Sequence, residues 1–348
     1  MICFLMESES QDFRVSGPSH LTTIDWTNEH HKRSVAASLV KGVYVVERDR
    51  LQNRKGSQAL ASPWWESFNF QMLRRLEDVD SSIFGAIYKF IPPASHNNLS
   101  AGGCPCYVIA FRGTITDPDS LTRDLKLNVH LALNTLHSTP SFEIAMKAVR
   151  DMVAPVGSSP NCPNVWLAGH SLGSATALLT GKTMAKTGIF LESFLFNPPF
   201  PSALIEKIKL KKVKLGIRIV SSTATSLLAL AMAKKSGDPF LNLSTWVPCL
   251  YVNPADHICS GYVGYFEHKK RMVELGVGGI ERLATQHSLR GLFKSMVKES
   301  EDSEPLHRIP SANLMVNSTP SSGLKQAHGI RQWWRPDLHL EPILYQYN

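Results

Sequence analysis

The 348-residue chain is 43% apolar and 19% charged, enough to bury a large core in one α/β domain or two small ones. Its net charge of +8 comes from scattered lysines and arginines, and the densest cluster, Lys207–Lys214, alternates with apolar residues and lacks interleaved aromatics. That pattern reads as a solvated helix face or edge strand, with an anionic membrane or nucleic-acid patch as the alternative, and predicts no nucleic-acid partner.

The six cysteines form neither a disulfide framework nor a zinc knuckle, and the first residues carry no basic signal region. The longest uncharged apolar run, Leu227–Ala233, is too short to span a bilayer. Together these features predict a reduced, cytoplasmic setting.

Residues 1–30 are polar and mixed and predict an N-terminal arm, with a single domain over 31–348. From His31 onward Val35, Leu39, Val43 and Val46 recur at helical spacing. Trp64, Phe68, Met72 and Leu76 form a stripe that predicts a second helix over 63–76. Ile83–Ile91 and Cys106–Phe111 read as strands separated by a polar loop, which predicts an antiparallel pair entering a larger sheet. Segment 124–136 is amphipathic, and Phe142–Val153 reads as a clearer helix. The apolar run Val165–Ala168 leads through Gly169-His170-Ser171-Leu172-Gly173 into an alanine-rich helix ending near Met184. Ile189–Phe196, Ile217–Val220 and Trp246–Val252 read as strands, and Thr225–Lys235 as a helix. Lys294–Gly323 is polar and aperiodic and predicts a flexible insertion. Order returns with Ala327–Trp334, and Leu338–Tyr347 alternates as a terminal strand does. Strands alternating with helices predict the α/β class, with a mostly parallel central sheet covered by helices on both faces.

The G-x-S-x-G turn between strand and helix is the pattern of a nucleophile elbow. Its glycines allow the strand and helix to cross closely, which exposes the Ser171 hydroxyl above the sheet and points the Leu172 amide at the oxyanion site. A serine is a weak nucleophile at neutral pH and needs a histidine oriented by a carboxylate. In this architecture the acid and the base follow the serine, on loops at the carboxyl ends of later strands. Asp256 leaves the apolar run Val247–Val252 at a strand exit and is the expected acid; Asp238 follows a helix and reads as a turn residue. The alternative role for Asp256 is the N-cap of a helix starting near Ser260.

Candidates for the base beyond Asp256 are His257, His268, His287, His307, His328 and His339. His328 lies on a loop entering a short aromatic helix and is favoured; His339, on a terminal strand, is the alternative. Phe111-Arg112-Gly113-Thr114 follows its own apolar strand, which makes Thr114 the expected second oxyanion donor.

The F-R-G-T block, the G-H-S-L-G block and the Asn253–Asp256 loop together resemble the class 3 (fungal-lipase-like) triacylglycerol lipases. The closer resemblance is to plant lipase-like proteins labelled GDSL esterase/lipase, although the serine here sits in G-H-S-L-G and not in G-D-S-L. The resemblance spans about residues 80–345 and implies an α/β-hydrolase fold. It further implies Ser171, Asp256 and His328 as a triad, Thr114 and Leu172 as the oxyanion hole, and a lid over Ile115–Leu136. The family histidine pattern is matched better by His328 than by His339. The implied partners are an acyl lipid or small ester substrate and transient contact with a membrane surface, with no cofactor and no metal. A non-catalytic lipase-like scaffold and an acyltransferase using the same residues remain open alternatives.

Overall fold

The computed structural model describes residues 21, 23–61, 64–93, 103–115, 133, 135–154, 164–200, 239–274 and 309–346. Eight strands form one sheet in chain order: β1 (Phe70–Glu77), β2 (Ile83–Phe90), β3 (Tyr107–Phe111), β4 (Val165–His170), β5 (Glu192–Phe196), β6 (Cys249–Val252), β7 (Ala312–Asn317) and β8 (Leu340–Tyr345). The pairs β1–β2, β2–β3 and β7–β8 are antiparallel, and the ladder from β3 to β7 is parallel. The sheet is thus mostly parallel, as the α/β expectation requires, with the antiparallel β2–β3 entry that the sequence predicts.

Parallel neighbours need crossovers, and a sheet whose strands follow chain order puts right-handed crossovers on one face. Helices α2 (Pro140–Val153), α3 (Leu172–Lys186), α4 (Pro239–Thr245) and α5 (Gly261–Glu274) accordingly share one apolar layer with Ile109, Leu167, Leu195, Leu250 and Leu314. Their strand neighbours Val108, Ala110, Trp166, Ala168, Phe194, Phe196 and Tyr251 point the other way. They are covered there by helix α1 (Glu29–Leu51) and by a 3-10 turn, Ile330–Trp334. Side chains on a strand alternate faces, so strands buried on both sides read as continuous apolar runs and feed two layers at once. Fully burying one such Leu or Phe stabilises the fold by about 1.5–3 kcal/mol.

Local signals fix the helix starts. The Asn28 side chain accepts from the His30 and His31 amides to cap α1, and Arg48 and Arg50 sit in its last turn, where positive charge is favoured. Thr139 accepts from the Phe142 amide ahead of α2, whose first residue is proline.

Two expectations are corrected. The helix expected over 63–76 is a 3-10 turn, Trp64–Phe68, followed by strand β1. A spacing of four residues is two strand periods as well as roughly one helical turn, so Met72 and Leu76 suit both. Antiparallel pairing of Met72 with Tyr88 and Leu76 with Gly85 decides for the strand. The flexible insertion expected over 294–323 ends too late, because β7 lies inside it and pairs with both β6 and β8. The insertion expectation for 294–308 lies outside the described residues, as do most of the arm over 1–30, the strand and helix expected over 217–220 and 225–235, and most of the 115–136 lid segment.

Candidate active site

Ser171, Asp256, His328 and the Gly113-Thr114 loop lie at the carboxyl edge of the parallel strands, where βα loops of such sheets converge. Strand β4 ends at His170, and Ser171 turns the chain into α3 at φ 54° and ψ −124°. A serine in the left-handed region costs roughly 1–3 kcal/mol and persists only where its surroundings enforce it. The enforcement is steric. A Cβ on Gly169 would lie 2.3 Å from the Gly173 carbonyl oxygen, and one on Gly173 would lie 2.4 Å from the Phe111 and Arg112 carbonyl oxygens. Helix α3 is thereby pressed against the end of β3. Although Ser171 occupies the N-cap position, its side chain makes no capping bond.

Ser171 Oγ instead meets His328 Nε2 at 3.1 Å, and His328 Nδ1 meets Asp256 Oδ2 at 2.8 Å. All three side chains are buried. His328 ends α6 (Leu324–His328), a single helical turn between β7 and the 330–334 turn. The competing histidine, His339, is exposed ahead of β8, with its backbone tied to Ser318 and Thr319. His257 and His268 are exposed, and His287 and His307 lie outside the described residues. The structure therefore brings His328, and not His339, to Ser171.

Asp256 follows β6, and its carboxylate also accepts from Asn197 Nδ2 at 2.8 Å, the Ile258 amide at 3.0 Å and the Cys259 thiol at 3.2 Å. Burial pushes this carboxyl up, but the bonds from His328, Asn197 and Ile258 outweigh burial and hold it below the usual carboxylate range. The carboxylate is thus charged at neutral pH and fully partnered.

Three asparagines at successive strand ends hold the segment that carries His328. Asn197, directly after β5, donates to the Ala327 carbonyl at 3.0 Å and accepts from Trp333 Nε1 at 2.7 Å. Asn253, directly after β6, and Asn317, the last residue of β7, both donate to Gln332 Oε1, at 2.8 and 2.9 Å. Gln332 Nε2 in turn donates to the Ala327 and Gly329 carbonyls. Sequence reasoning assigned none of these four residues a role. A visible signal existed at two of them, since Asn197-Pro198 and Asn253-Pro254 each follow an apolar strand abruptly.

The Gly113-Thr114 loop lies against the elbow: a Cβ on Gly113 would be 2.8 Å from Ser171 Cβ. Arg112 fixes the loop by donating to the Ile83 and Gly113 carbonyls, at 2.6 and 2.7 Å, and its guanidinium lies 3.5 Å from Glu47 of α1. The Gly113 amide donates to Tyr44 Oη at 2.7 Å, so the next amide along the loop is that of the exposed Thr114. Leu172, at the first position of α3, presents one of the unpaired helix N-terminal amides beside Ser171. Among the described residues no group of three or more His, Cys, Asp or Glu side chains is placed to hold a metal ion, and no helix is long and apolar enough to cross a membrane.

The family described as Lipase (class 3) matches residues 108–201, from β3 to just past β5. A protein of Arabidopsis thaliana named GDSL esterase/lipase is 52% identical over 361 residues, covering 99% of this chain and all of its own. The crystal structure of lipase from Rhizopus microsporus var. chinensis shares 12% identity, covers 64% of this chain and 66% of its own, and superposes with a TM-score of 0.30. That last likeness is too loose to bear on the site. The near full-length identity with the Arabidopsis protein is decisive: the chain belongs to the plant lipase-like proteins of the class 3 (fungal-lipase-like) lipase family.

Proposed function

We propose that the protein hydrolyses carboxylic esters of acyl-lipid or similarly apolar character, with Ser171 as nucleophile, His328 as general base and Asp256 as its orienting acid. The observation that carries this reading is the continuous contact from Ser171 Oγ through the two ring nitrogens of His328 to Asp256. A carboxylate only accepts, so His328 Nδ1 carries the proton toward Asp256 and Nε2 is left to accept from the serine hydroxyl.

His328 takes the Ser171 proton as Oγ attacks the ester carbonyl. The Leu172 and Thr114 amides hold the resulting oxyanion, and Asp256 stabilises the imidazolium. Collapse expels the alcohol, which receives the proton from His328, and leaves an acyl-serine. Water then attacks, giving a proton to His328; the acid departs and Ser171 regains its hydroxyl. No cofactor enters any step.

Turnover of p-nitrophenyl esters tests this. Ser171→Ala and His328→Ala are each expected to lower kcat by roughly 10³-fold or more, with His339→Ala unchanged. Loss with His339→Ala and retention with His328→Ala overturns the base assignment. Absence of turnover by the wild type across an acyl-chain series favours the non-catalytic scaffold.

A further inference from the structure

We infer that Tyr44 and His170 are positioning residues that tie the oxyanion loop to the backbone of the general base; the inference rests on the hydrolase reading of Ser171, Asp256 and His328. Four groups from distant parts of the chain form one line. The Gly113 amide donates to Tyr44 Oη at 2.7 Å, Tyr44 Oη lies 2.8 Å from His170 Nδ1, and His170 Nε2 lies 2.7 Å from the His328 carbonyl oxygen. Tyr44 and His170 are both buried.

Proton directions along this line follow from its end. A carbonyl can only accept, so His170 Nε2 must carry a hydrogen. Burial and the neighbouring His328 push the His170 pKa down to about 3, so the ring is neutral and Nδ1 bears a lone pair. Tyr44 therefore donates to Nδ1, which leaves its oxygen free to accept from Gly113. Every donor and acceptor in the line is used once, in one direction. Burial also pushes the Tyr44 phenol up, which keeps its hydrogen in place.

The consequence for the reaction is twofold. His328 is held at its ring by Asp256 and at its backbone by His170, so the base cannot swing from Ser171 without breaking a buried bond. At the other end, Tyr44 occupies the Gly113 amide, which fixes the loop and leaves Thr114 to face the oxyanion. The His170 and His328 rings lie 5.0 Å apart. A neutral His170 there does not oppose the charge that His328 acquires when it takes the serine proton, whereas a protonated one would.

Helix α1 is itself well anchored across the site. Arg33 Nε donates to the Trp333 carbonyl at 2.7 Å, and Glu47 accepts from the Ile83 amide at 2.9 Å. Tyr44 is thus delivered by an anchored helix lying outside the 108–201 stretch that matches the lipase family.

The test measures steady-state turnover of a p-nitrophenyl ester by Tyr44→Phe, His170→Gln and the double variant, beside Ser171→Ala. Tyr44→Phe deletes one hydroxyl and is expected to lower kcat about tenfold to a hundredfold, with KM within about twofold. The double variant is expected to be little worse than the weaker single variant, because both cut the same line. Wild-type kcat in folded Tyr44→Phe, or losses that simply multiply in the double variant, overturns the inference. Should Tyr44→Phe fail to fold, ¹⁵N NMR of histidine-labelled wild type decides. His170 is expected as the neutral Nε2–H tautomer throughout pH 5–8; a charged ring or an Nδ1–H tautomer overturns the inference. Undiminished activity in Ser171→Ala sinks the hydrolase reading itself, and that result is independent of what Tyr44→Phe does.

Discussion

His328 Nδ1 and Asp256 Oδ2 lie 2.8 Å apart although 72 residues separate them in the chain. They meet because β6 delivers Asp256 to the carboxyl edge of the sheet and a single helical turn after β7 brings His328 back over it. Replacing Asp256 by Asn preserves the shape but reverses the partner's demand, since an amide nitrogen facing His328 favours the wrong tautomer. The account predicts that Asp256→Asn lowers kcat on p-nitrophenyl esters by about 10³- to 10⁴-fold with a small change in KM, measured at neutral pH. A loss under tenfold removes Asp256 from the proposed role.

Gln332 is the keystone of the segment that carries His328. Its side-chain oxygen accepts from both Asn253 and Asn317, and its nitrogen reaches two carbonyls of the turn. Gln332→Leu removes the acceptor that the buried Asn253 and Asn317 amides share, at about 1–3 kcal/mol for each N–H left unmade, although Asn253 keeps its bond to Ser321 Oγ at 3.0 Å. A fall of several degrees in Tm and a drop in kcat that exceeds any change in KM are expected, read by calorimetry and by ester turnover on the same sample.

The elbow tolerates no side chain at its crossing. With backbone oxygens 2.4 Å from the site of an added Cβ, Gly173→Ala must push α3 away from the end of β3. Destabilisation of roughly 3 kcal/mol or more is expected, seen as a denaturation midpoint far below wild type. Unchanged stability with unchanged activity contradicts the described crossing.

Acid sensitivity follows from the two buried groups around His328. The folded-state pKa of His170 lies near 3, below the ordinary 6.5, so the unfolded chain binds an extra proton as pH falls below about 6.5. Its contribution to stability is complete above that pH and is lost progressively toward pH 3, at up to about 1.4 kcal/mol per pH unit. Asp256 is also depressed, so its share is complete above its ordinary value and disappears only at lower pH still. Thermal unfolding followed from pH 7 to 4 should show a falling Tm in the wild type and a flatter dependence in His170→Gln.

The parallel layer was legible because strands buried on both faces read as apolar runs. The runs ending at Phe111, Phe196 and Val252 all proved to be strands that end at those residues. The 64–76 stripe was misread because its four-residue spacing fits both periods, and pairing partners cannot be seen in one strand alone. Strand β7 was hidden in a polar context, Ser311 to Ser322, although its Ala312, Leu314 and Val316 are buried. At the site, Ser171 was marked by its glycines and Asp256 by its place at a strand exit. The support around them was not. Tyr44 reads as one more apolar helix position, and nothing in G-H-S-L-G reveals that the histidine bonds to a tyrosine on one side and to the His328 backbone on the other.

The central claim is that Ser171 is an activated nucleophile. Reaction with a fluorophosphonate, followed by peptide mapping, tests it most directly. The account predicts one covalent label per chain, located on Ser171, absent in Ser171→Ala and strongly slowed in His328→Ala. A wild-type protein that takes up no label, or a Ser171→Ala variant labelled as fast as wild type, contradicts it.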